Sequence, residues 1–448
     1  MILGLGVSGR AALKFLLAQG AIVGVSDSRN FATLANADQD YLRVNKIAYE
    51  GGGHTAQFCA DCDAVFISPG IPTDIPLLHD LSKQGIAILG ELALAAPYLT
   101  ETVVAVTGTN GKTTVTALIG ELLQVSGKTV FVGGNIGTPL LEYLCHKKKA
   151  DVLVLELSSF QLESAGSFRP HIGVLLNITP DHMDRHGTMA NYAAAKMKLF
   201  AHQKNGDSVI VGSDDPFCDE IGSRLHGQKI YCFGSLQSNC AAKGADDSFT
   251  LTLEGAGETR YSLAGTVLNS HTGLLNSEAA VLAVSLLGCA KVDIEKGLRS
   301  FSLANHRLQH VRTRAGVGYY NDSKATNTGA VCSALASFSG NIILIAGGRD
   351  KGEDYTLLKE SMQEKVKELI LLGEAAELIK KQIAGVVSLR HATDMKEAVK
   401  IASELATKGD TVLLAPACAS FDMFENYGHR GKVFMQAVHD LPEKEVVN

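Results

Sequence analysis

The chain has 448 residues, of which 46% are hydrophobic and 20% charged, a balance that fits a globular protein with room for about three domains. A net charge of −6 excludes a general nucleic-acid binder, whose footprint is basic, and leaves any anionic substrate to be held by local lysines, arginines and metal. No run of about 18 apolar residues argues for membrane insertion or secretion, and nine scattered cysteines suit a reducing cytoplasm better than a disulfide framework.

Short apolar runs alternate with amphipathic stretches from end to end, the pattern of α/β units built on parallel sheets. Residues 2–5, 21–25, 64–67 and 86–89 are predicted strands of a first domain, 1–91. A strand that begins at Met1 suggests a true start further upstream. After it, Gly4-Leu5-Gly6-Val7-Ser8-Gly9 matches G-x-G-x-x-G, with Asp27 ending the next strand about 20 residues on. This is the dinucleotide-binding fingerprint, but the same turn cradles any pyrophosphate at a helix N-terminus, or simply joins a strand to a helix without a ligand. Given the second phosphate loop downstream, a diphosphate-linked sugar nucleotide explains it better than a dinucleotide. Cys59-Ala60-Asp61-Cys62 has C-x-x-C spacing, but no second pair completes a zinc site, so no metal or redox role is expected there. Residues 90–100 read as a connector.

The second predicted domain, 92–300, has strands at 103–106, 130–132, 152–155, 173–176 and 209–211. Its first strand runs into Gly108-Thr109-Asn110-Gly111-Lys112-Thr113-Thr114, and a helix is predicted over 113–123. Bared backbone N–H groups and a helix N-terminus make this a polyphosphate site, with Lys112 as a point charge and the Thr113 hydroxyl for Mg²⁺. The general motif G-x-x-x-x-G-K-[ST] has a further glycine where this chain has Val106, so the loop is a shortened variant. Glu156 ends a buried strand, where a carboxylate beside a phosphate loop can hold Mg²⁺ or simply be a surface charge. Asn177-Ile178-Thr179-Pro180-Asp181-His182-Met183-Asp184-Arg185-His186 is dense in metal-capable groups. His182 and His186 lacks the glutamate of H-E-x-x-H, which favours a Mg²⁺ and substrate site over zinc and leaves a polar loop as the plain alternative. Lys196 lies on an alanine-rich helix, and nothing local singles it out. The polar stretch 238–259, alternating at 249–253, predicts an added hairpin.

The third domain, 301–448, has strands at 342–346, 368–372 and 411–414. Three polar loops follow strands: Asn321-Asp322-Ser323-Lys324-Ala325-Thr326-Asn327, Gly347-Gly348-Arg349-Asp350-Lys351-Gly352 and Ala415-Pro416-Ala417-Cys418-Ala419-Ser420-Phe421-Asp422. Ligands of open α/β sheets bind beyond the carboxyl ends of strands. Three such loops therefore suggest a small anionic substrate, with ordinary solvated turns as the alternative.

The phosphate loop, Leu155-Glu156-Leu157-Ser158-Ser159-Phe160-Gln161 and the 177–186 motif together resemble the ATP-dependent Mur ligases of peptidoglycan synthesis. The 321–327 and 347–352 motifs, with Ser420-Phe421-Asp422-Met423-Phe424, resemble the branch of that family that adds D-glutamate. The likeness spans nearly the whole chain. It implies an α/β fold of three domains: a Rossmann-like N-terminal domain, a central parallel-sheet domain of the P-loop ATPase type, and a C-terminal Rossmann-like domain. The activity implied is the joining of D-glutamate to UDP-N-acetylmuramoyl-L-alanine through an acyl phosphate, at the expense of ATP, in the cytoplasm. The partners would be these small molecules, with no nucleic acid, no membrane insertion and a monomeric chain.

By matching position, Gly108, Thr109, Asn110, Gly111, Lys112, Thr113 and Thr114 would bind ATP, with Asn276, Arg307 and Asp322. Lys112, Glu156, His182 and Lys196 would be the catalytic set. Thr113, Glu156, His182 and a carbamylated Lys196 would hold Mg²⁺ at two sites. A free lysine has a pKa near 10.4, so exposing its neutral amine at about pH 7.4 costs roughly 4 kcal/mol. Ser8, Asp27, Ser28, Arg29, Ser68, Gly70 and Asn135 would contact the UDP-sugar, and Asp181, Lys324, Thr326, Lys351, Ser420 and Tyr427 the D-glutamate. Lysines suit its carboxylates, since a buried anion needs a paired charge.

The chain departs from the family pattern in three places. His271 and Asn276 have the wrong spacing for the family's adenine motif, Gln309 replaces a common glutamate, and Tyr427 stands where phenylalanine is usual. Three other readings stay open on sequence: a folylpolyglutamate-type synthetase, a scaffold that only binds nucleotide, and an NAD-dependent dehydrogenase.

Overall fold

In the computed structural model, residues 1–146, 149–215, 217–218, 227–234, 240–255 and 257–442 are described. Ser238, Asn239 and Ala256 of the predicted polar stretch lie outside them. The chain divides into two compact units, one of Met1–Ile178, Ala190–Leu263 and Leu275–Ser300, the other of Thr179–Met189, Ala264–Leu274 and Phe301–Asn448. The short segments Thr179–Met189 and Ala264–Leu274 thus group with the C-terminal region, although both lie within 92–300 of the sequence.

The first unit holds two sheets. Strands β1 (Ile2–Leu3), β2 (Gly24–Asp27), β3 (Ala48–Gly51), β4 (Ala64–Ile67) and β5 (Ala87–Leu89) form a parallel sheet in the order β3-β2-β1-β4-β5. The order reverses between β1 and β4, the place where open α/β sheets leave a crevice. Leu3 pairs with Ile67, which sets Gly4 beside Ser68, and the Ser68 hydroxyl donates to the Gly4 carbonyl at 2.7 Å. The first strand is shorter than predicted because Gly4, at φ +83°, turns the chain out of it. The second is displaced from 21–25: Ile22 is apolar but fully exposed, in the turn after helix Val7–Ala18. Part of the expected connector is helical, Glu91–Ala95, because Leu92 and Ala95 find buried positions.

The second sheet contains β6 (Thr102–Thr107), β7 (Val130–Gly134), β8 (Val152–Glu156), β9 (Ile172–Leu175), β10 (Ser208–Gly212) and β11 (Lys229–Phe233), all parallel. An antiparallel meander, β12 (Ala242–Ala245), β13 (Ser248–Leu253) and β14 (Gly257–Ser262), extends it. The order is β14-β13-β12-β11-β10-β9-β6-β8-β7. Central β6 has Val103 to Val106 all at 1% exposure or less, so its apolar run is that of a strand covered on both faces. Its neighbours are β8, ending at Glu156, and β9, followed by Asn177. Three parallel strands therefore deliver the phosphate loop, Glu156 and Asn177 to one edge.

The second unit holds β15 (Gln309–Arg314), β16 (Val317–Asn321), β17 (Ile342–Gly347), β18 (Val366–Leu372), β19 (Ser388–His391) and β20 (Thr411–Leu414), in the order β15-β16-β20-β17-β18-β19. Only β15 is antiparallel. Strands β16, β20 and β17 are adjacent, so the loops 321–327, 415–422 and 347–352 emerge side by side. The expected α/β architecture with parallel-rich sheets is present.

The first glycine loop leaves no room for a side chain: a Cβ on Gly9 would overlap the Gly4 carbonyl oxygen. Gly9→Ala is expected to lower stability by ~2 kcal/mol or more, the usual size of an overpacking penalty. Urea denaturation followed by far-UV circular dichroism reads this, and an unchanged midpoint would show that the loop is not held against the start of its helix.

Candidate active site

The phosphate loop is held by conformation and by contact. Gly108 has φ +150° and Gly111 φ +85°, values that L side chains rarely adopt. Space is closed as well: a Cβ on Gly108 would lie 3.0 Å from the Leu176 Cβ, and one on Gly111 2.6 Å from the Asn276 Oδ1. Asn177 bolts the loop down. Its carbonyl accepts the Thr109 N–H at 2.9 Å, its Oδ1 accepts the Asn110 N–H at 2.8 Å, and its Nδ2 donates to the Asn110 carbonyl at 3.1 Å. Gly111 caps helix Lys112–Val125, so the positive end of a 14-residue helix begins at the loop. Thr114, 8% exposed, faces inward, and the Thr109 hydroxyl donates to the Tyr192 hydroxyl at 3.2 Å.

Two lysines converge on this loop. Lys112 Nζ donates to the carbonyls of Gly108 at 2.9 Å and Thr109 at 2.7 Å. Lys196, 1% exposed, donates to the same Gly108 carbonyl at 2.7 Å and stands 4.4 Å from the Tyr192 ring centroid. Two lysine side chains thus meet at one carbonyl oxygen of the loop, and Lys112 brings a point charge suited to a phosphoryl group.

Beside them Glu156, 1% exposed, accepts the Thr113 hydroxyl at 2.6 Å on Oε2 and the Asn135 Nδ2–H at 2.9 Å on Oε1. Both donors are neutral. A carboxylate and a hydroxyl at a phosphate loop are hard oxygen ligands of the kind that hold Mg²⁺ together with substrate phosphates. Among the described residues no three His, Cys, Asp or Glu side chains are grouped to hold a metal.

At the first sheet, Asp27 serves the glycine loop. Its carboxylate accepts the N–H groups of Leu5 at 2.6 Å and Arg29 at 2.9 Å, and the Arg29 guanidinium at 2.8 and 2.9 Å. The Arg29 side chain and these N–H groups hold the Asp27 carboxyl well below the usual carboxylate range. Ser8 is in the first turn of helix Val7–Ala18 behind the loop, while Ser28, Arg29 and Gly70 are exposed.

In the second unit, Asp181 is 7% exposed and lies between Lys351 Nζ at 2.5 Å and Asn327 Nδ2 at 3.1 Å. His182 follows in the left-handed region at φ +57°, with Nε2 3.8 Å from Asp181 Oδ1. Lys324 Nζ sits 4.0 Å from the Tyr427 ring centroid, a cation–π contact, and the Thr326 N–H donates to the Lys324 carbonyl at 2.9 Å. Ser420 is 3% exposed. Burial pushes the Asp322 carboxyl up to about 6, against the pull of the Arg307 charge. Glu353, 6% exposed, accepts the N–H and the hydroxyl of Thr328, both at 2.9 Å. Burial, aided by the Asp181 charge and opposed by Thr328 and Lys351, pushes its carboxyl up to about 7.

Sequence reasoning missed Asn177, Asn327, Glu353 and Arg430. The two asparagines stand inside quoted motifs, so their position was a usable signal. Glu353 and Arg430 gain their surroundings from distant chain segments, and the sequence carries no local sign of them.

The chain matches the family described as Mur ligase middle domain over residues 106–283, the Mur ligase glutamate ligase domain over 306–418, and the Mur ligase MurD-like N-terminal domain over 1–90. It is 50% identical over 445 residues to a protein of Desulfotalea psychrophila named UDP-N-acetylmuramoylalanine--D-glutamate ligase, covering 99% of this chain and 96% of the relative. A Koribacter versatilis protein of the same name is 42% identical, covering 99% of this chain and 98% of that one. Among solved structures, a pseudomurein peptide ligase type C from Methanothermus fervidus is similar with a TM-score of 0.64 at 18% identity, covering 98% of this chain and 99% of that one. A MurF ligase from Thermotoga maritima in complex with ADP gives 0.60 at 19% identity, covering 98% and 94%. At such identities the structures speak for the fold.

Glu353 makes stability depend on pH. Folded, it keeps its proton up to about 7, whereas the ordinary value for a glutamate is 4.5, so the folded state binds more protons between those values. Its burial costs little below the lower value and destabilises progressively as pH rises to the upper one. Glu353→Gln keeps an acceptor for Thr328, and is expected to melt higher than wild type at about pH 8 and close to it at about pH 5. Thermal melts at the two pH values check this; the same difference at both would contradict it.

Proposed function

The chain belongs to the Mur ligase family, and from that premise we propose that it is the ATP-dependent ligase that joins D-glutamate to UDP-N-acetylmuramoyl-L-alanine in peptidoglycan precursor synthesis. The observation that carries this reading is the convergence of the phosphate loop, Lys112, Lys196 and buried Glu156 at the ends of adjacent parallel strands. Full-length relatives bearing that name support it.

In the proposed reaction the L-alanyl carboxylate attacks the γ-phosphorus of ATP, forming an acyl phosphate and releasing ADP. The amine of D-glutamate then attacks the acyl carbon, loses a proton, and expels inorganic phosphate as the amide forms. The loop N–H groups from Gly108 to Thr114 and the Lys112 ammonium hold the β- and γ-phosphates and offset the charge that shifts during transfer. Asn276 closes on the loop at Gly111, while Arg307 and Asp322 are assigned to the nucleotide. By matched position Thr113, Glu156, His182 and a carbamylated Lys196 are assigned to Mg²⁺ at two sites, the ions supplying charge neutralisation at the phosphoryl oxygens. Carbamylation requires the Lys196 amine to lose its proton and form an N–C bond to CO₂.

Ser8, Asp27, Ser28, Arg29, Ser68, Gly70 and Asn135 are assigned to the UDP-sugar. Asp27 does its part by fixing the glycine loop through Leu5. Asp181, Lys324, Thr326, Lys351, Ser420 and Tyr427 are assigned to D-glutamate, with the two lysines matched to its carboxylates. Among the described residues no helix is long and apolar enough to cross a membrane. Work in the cytoplasm, as a monomer and without nucleic acid, completes the proposal.

Lys112→Ala and Glu156→Ala are each expected to cut turnover by roughly a hundred-fold or more, since each removes a group that acts on the transferred phosphoryl. Wild-type rates in either folded variant would overturn the assignment. Phosphate release with Mg·ATP and UDP-N-acetylmuramoyl-L-alanine should depend on D-glutamate, and not on L-glutamate, L-lysine or meso-diaminopimelate. Release with another amine would keep the ligase and reassign the C-terminal pocket; no release with any would sink the proposal.

A further inference from the structure

Arg430 heads the fully buried side chains by size, at 2% exposure, in helix Tyr427–His439. Such a cation ordinarily needs a carboxylate partner. Here the guanidinium binds neutral oxygens: Nε donates to the Ser323 hydroxyl at 3.0 Å, Nη2 to the Ser323 carbonyl at 2.9 Å, and Nη1 to the carbonyls of Cys418 at 3.0 Å and Ala419 at 3.3 Å. The charge of Asp422 reaches it, but Asp422 does not bond it. One Asp422 oxygen accepts the Glu374 N–H at 3.1 Å, and the other is buried without a hydrogen-bond partner. Burial lowers the guanidinium to about 10, so it remains a cation at neutral pH.

The acceptors are as informative as the charge. Ser323 precedes Lys324, and its hydroxyl donates to the Tyr427 carbonyl at 2.8 Å. Cys418 and Ala419 precede Ser420. A Cβ on Gly348 would lie 3.2 Å from Arg430 Nη1 and overlap the Ala419 carbonyl, so the glycine motif that carries Lys351 closes on the same side chain. One guanidinium thus touches all three loops that emerge from β16, β20 and β17. None of the groups that accept its hydrogen bonds carries a charge, and in a poorly solvated site a charge is felt further than it would be in water.

We propose that Arg430 is the positioning residue of the amino-acid site, clamping the Lys324 and Ser420 loops, and that its charge, which no hydrogen-bonded carboxylate neutralises, makes the site prefer an amino acid with a second carboxylate. This rests on the reading of that site as the D-glutamate site. D-Glutamate and D-glutamine differ in side-chain charge at nearly equal size, so their ratio of kcat/KM reports the charge. Arg430→Met removes the charge at similar volume; Arg430→Lys keeps the charge and loses the fork.

In a phosphate-release assay, Arg430→Met is expected to raise the KM for D-glutamate about ten-fold or more and to shrink the D-glutamate to D-glutamine ratio by a similar factor. The KM values for ATP and the UDP-sugar should stay within about two-fold. Arg430→Lys should recover most of the ratio. Wild-type discrimination in folded Arg430→Met overturns the proposal, as does an equal rise in all three KM values, the mark of a merely structural role. If Arg430→Met does not fold, Arg430→Lys decides: a retained ratio supports the charge, a collapsed one overturns it. A wild-type enzyme indifferent to D-glutamate overturns the proposed function and this inference with it, and that result is distinguishable because it precedes any variant.

Discussion

The absence of space at the phosphate loop governs the rest of the first unit. Gly108 and Gly111 are pressed against Leu176 and Asn276 in backbone conformations that a side chain rarely adopts. The loop can keep that shape only if something holds it, and Asn177 does so with three hydrogen bonds. At about 1 kcal/mol each, such bonds are individually modest, but together they fix where the loop carbonyls point. Those carbonyls in turn place Lys112 and Lys196. The two lysines are therefore positioned by backbone that is itself positioned by close packing, a chain of dependence that begins with the buried β6.

Both units bury charged side chains. Glu156, Lys196, Asp181 and Arg430 are all 7% exposed or less, and none belongs to the apolar clusters that stabilise the sheets. For stability alone, hydrophobic side chains of similar volume would serve as well or better. Glu156 and Arg430 are hydrogen-bonded to hydroxyls, an amide and carbonyls, whereas Asp181 is paired with Lys351. Asp27 likewise has a charged partner, Arg29, and through the Leu5 N–H it also holds the first glycine loop.

Much of this was legible in the sequence where the physics is local. A phosphate loop needs glycines, a lysine and a threonine within a few residues, and a strand covered on both faces needs an unbroken apolar run, so both were plain. The three C-terminal loops could be grouped because strand ends in parallel sheets collect. Where apolarity did not mean burial, the reading slipped, as at Ile22, which is fully exposed beside a strand that starts at Gly24. Residues 90–100 read as a connector because nothing local showed that Leu92 and Ala95 would be buried. Arg430 was invisible for a stronger reason: its acceptor Ser323 is 107 positions away, and no window on the sequence brings the two together.

The central claim is that the site makes an acyl phosphate from the substrate carboxylate. The most direct test is to label the L-alanyl carboxylate of UDP-N-acetylmuramoyl-L-alanine with heavy oxygen and analyse the inorganic phosphate released when D-glutamate is ligated. The account predicts one labelled oxygen in the phosphate for each amide formed. Unlabelled phosphate accompanying a normal yield of amide would contradict it.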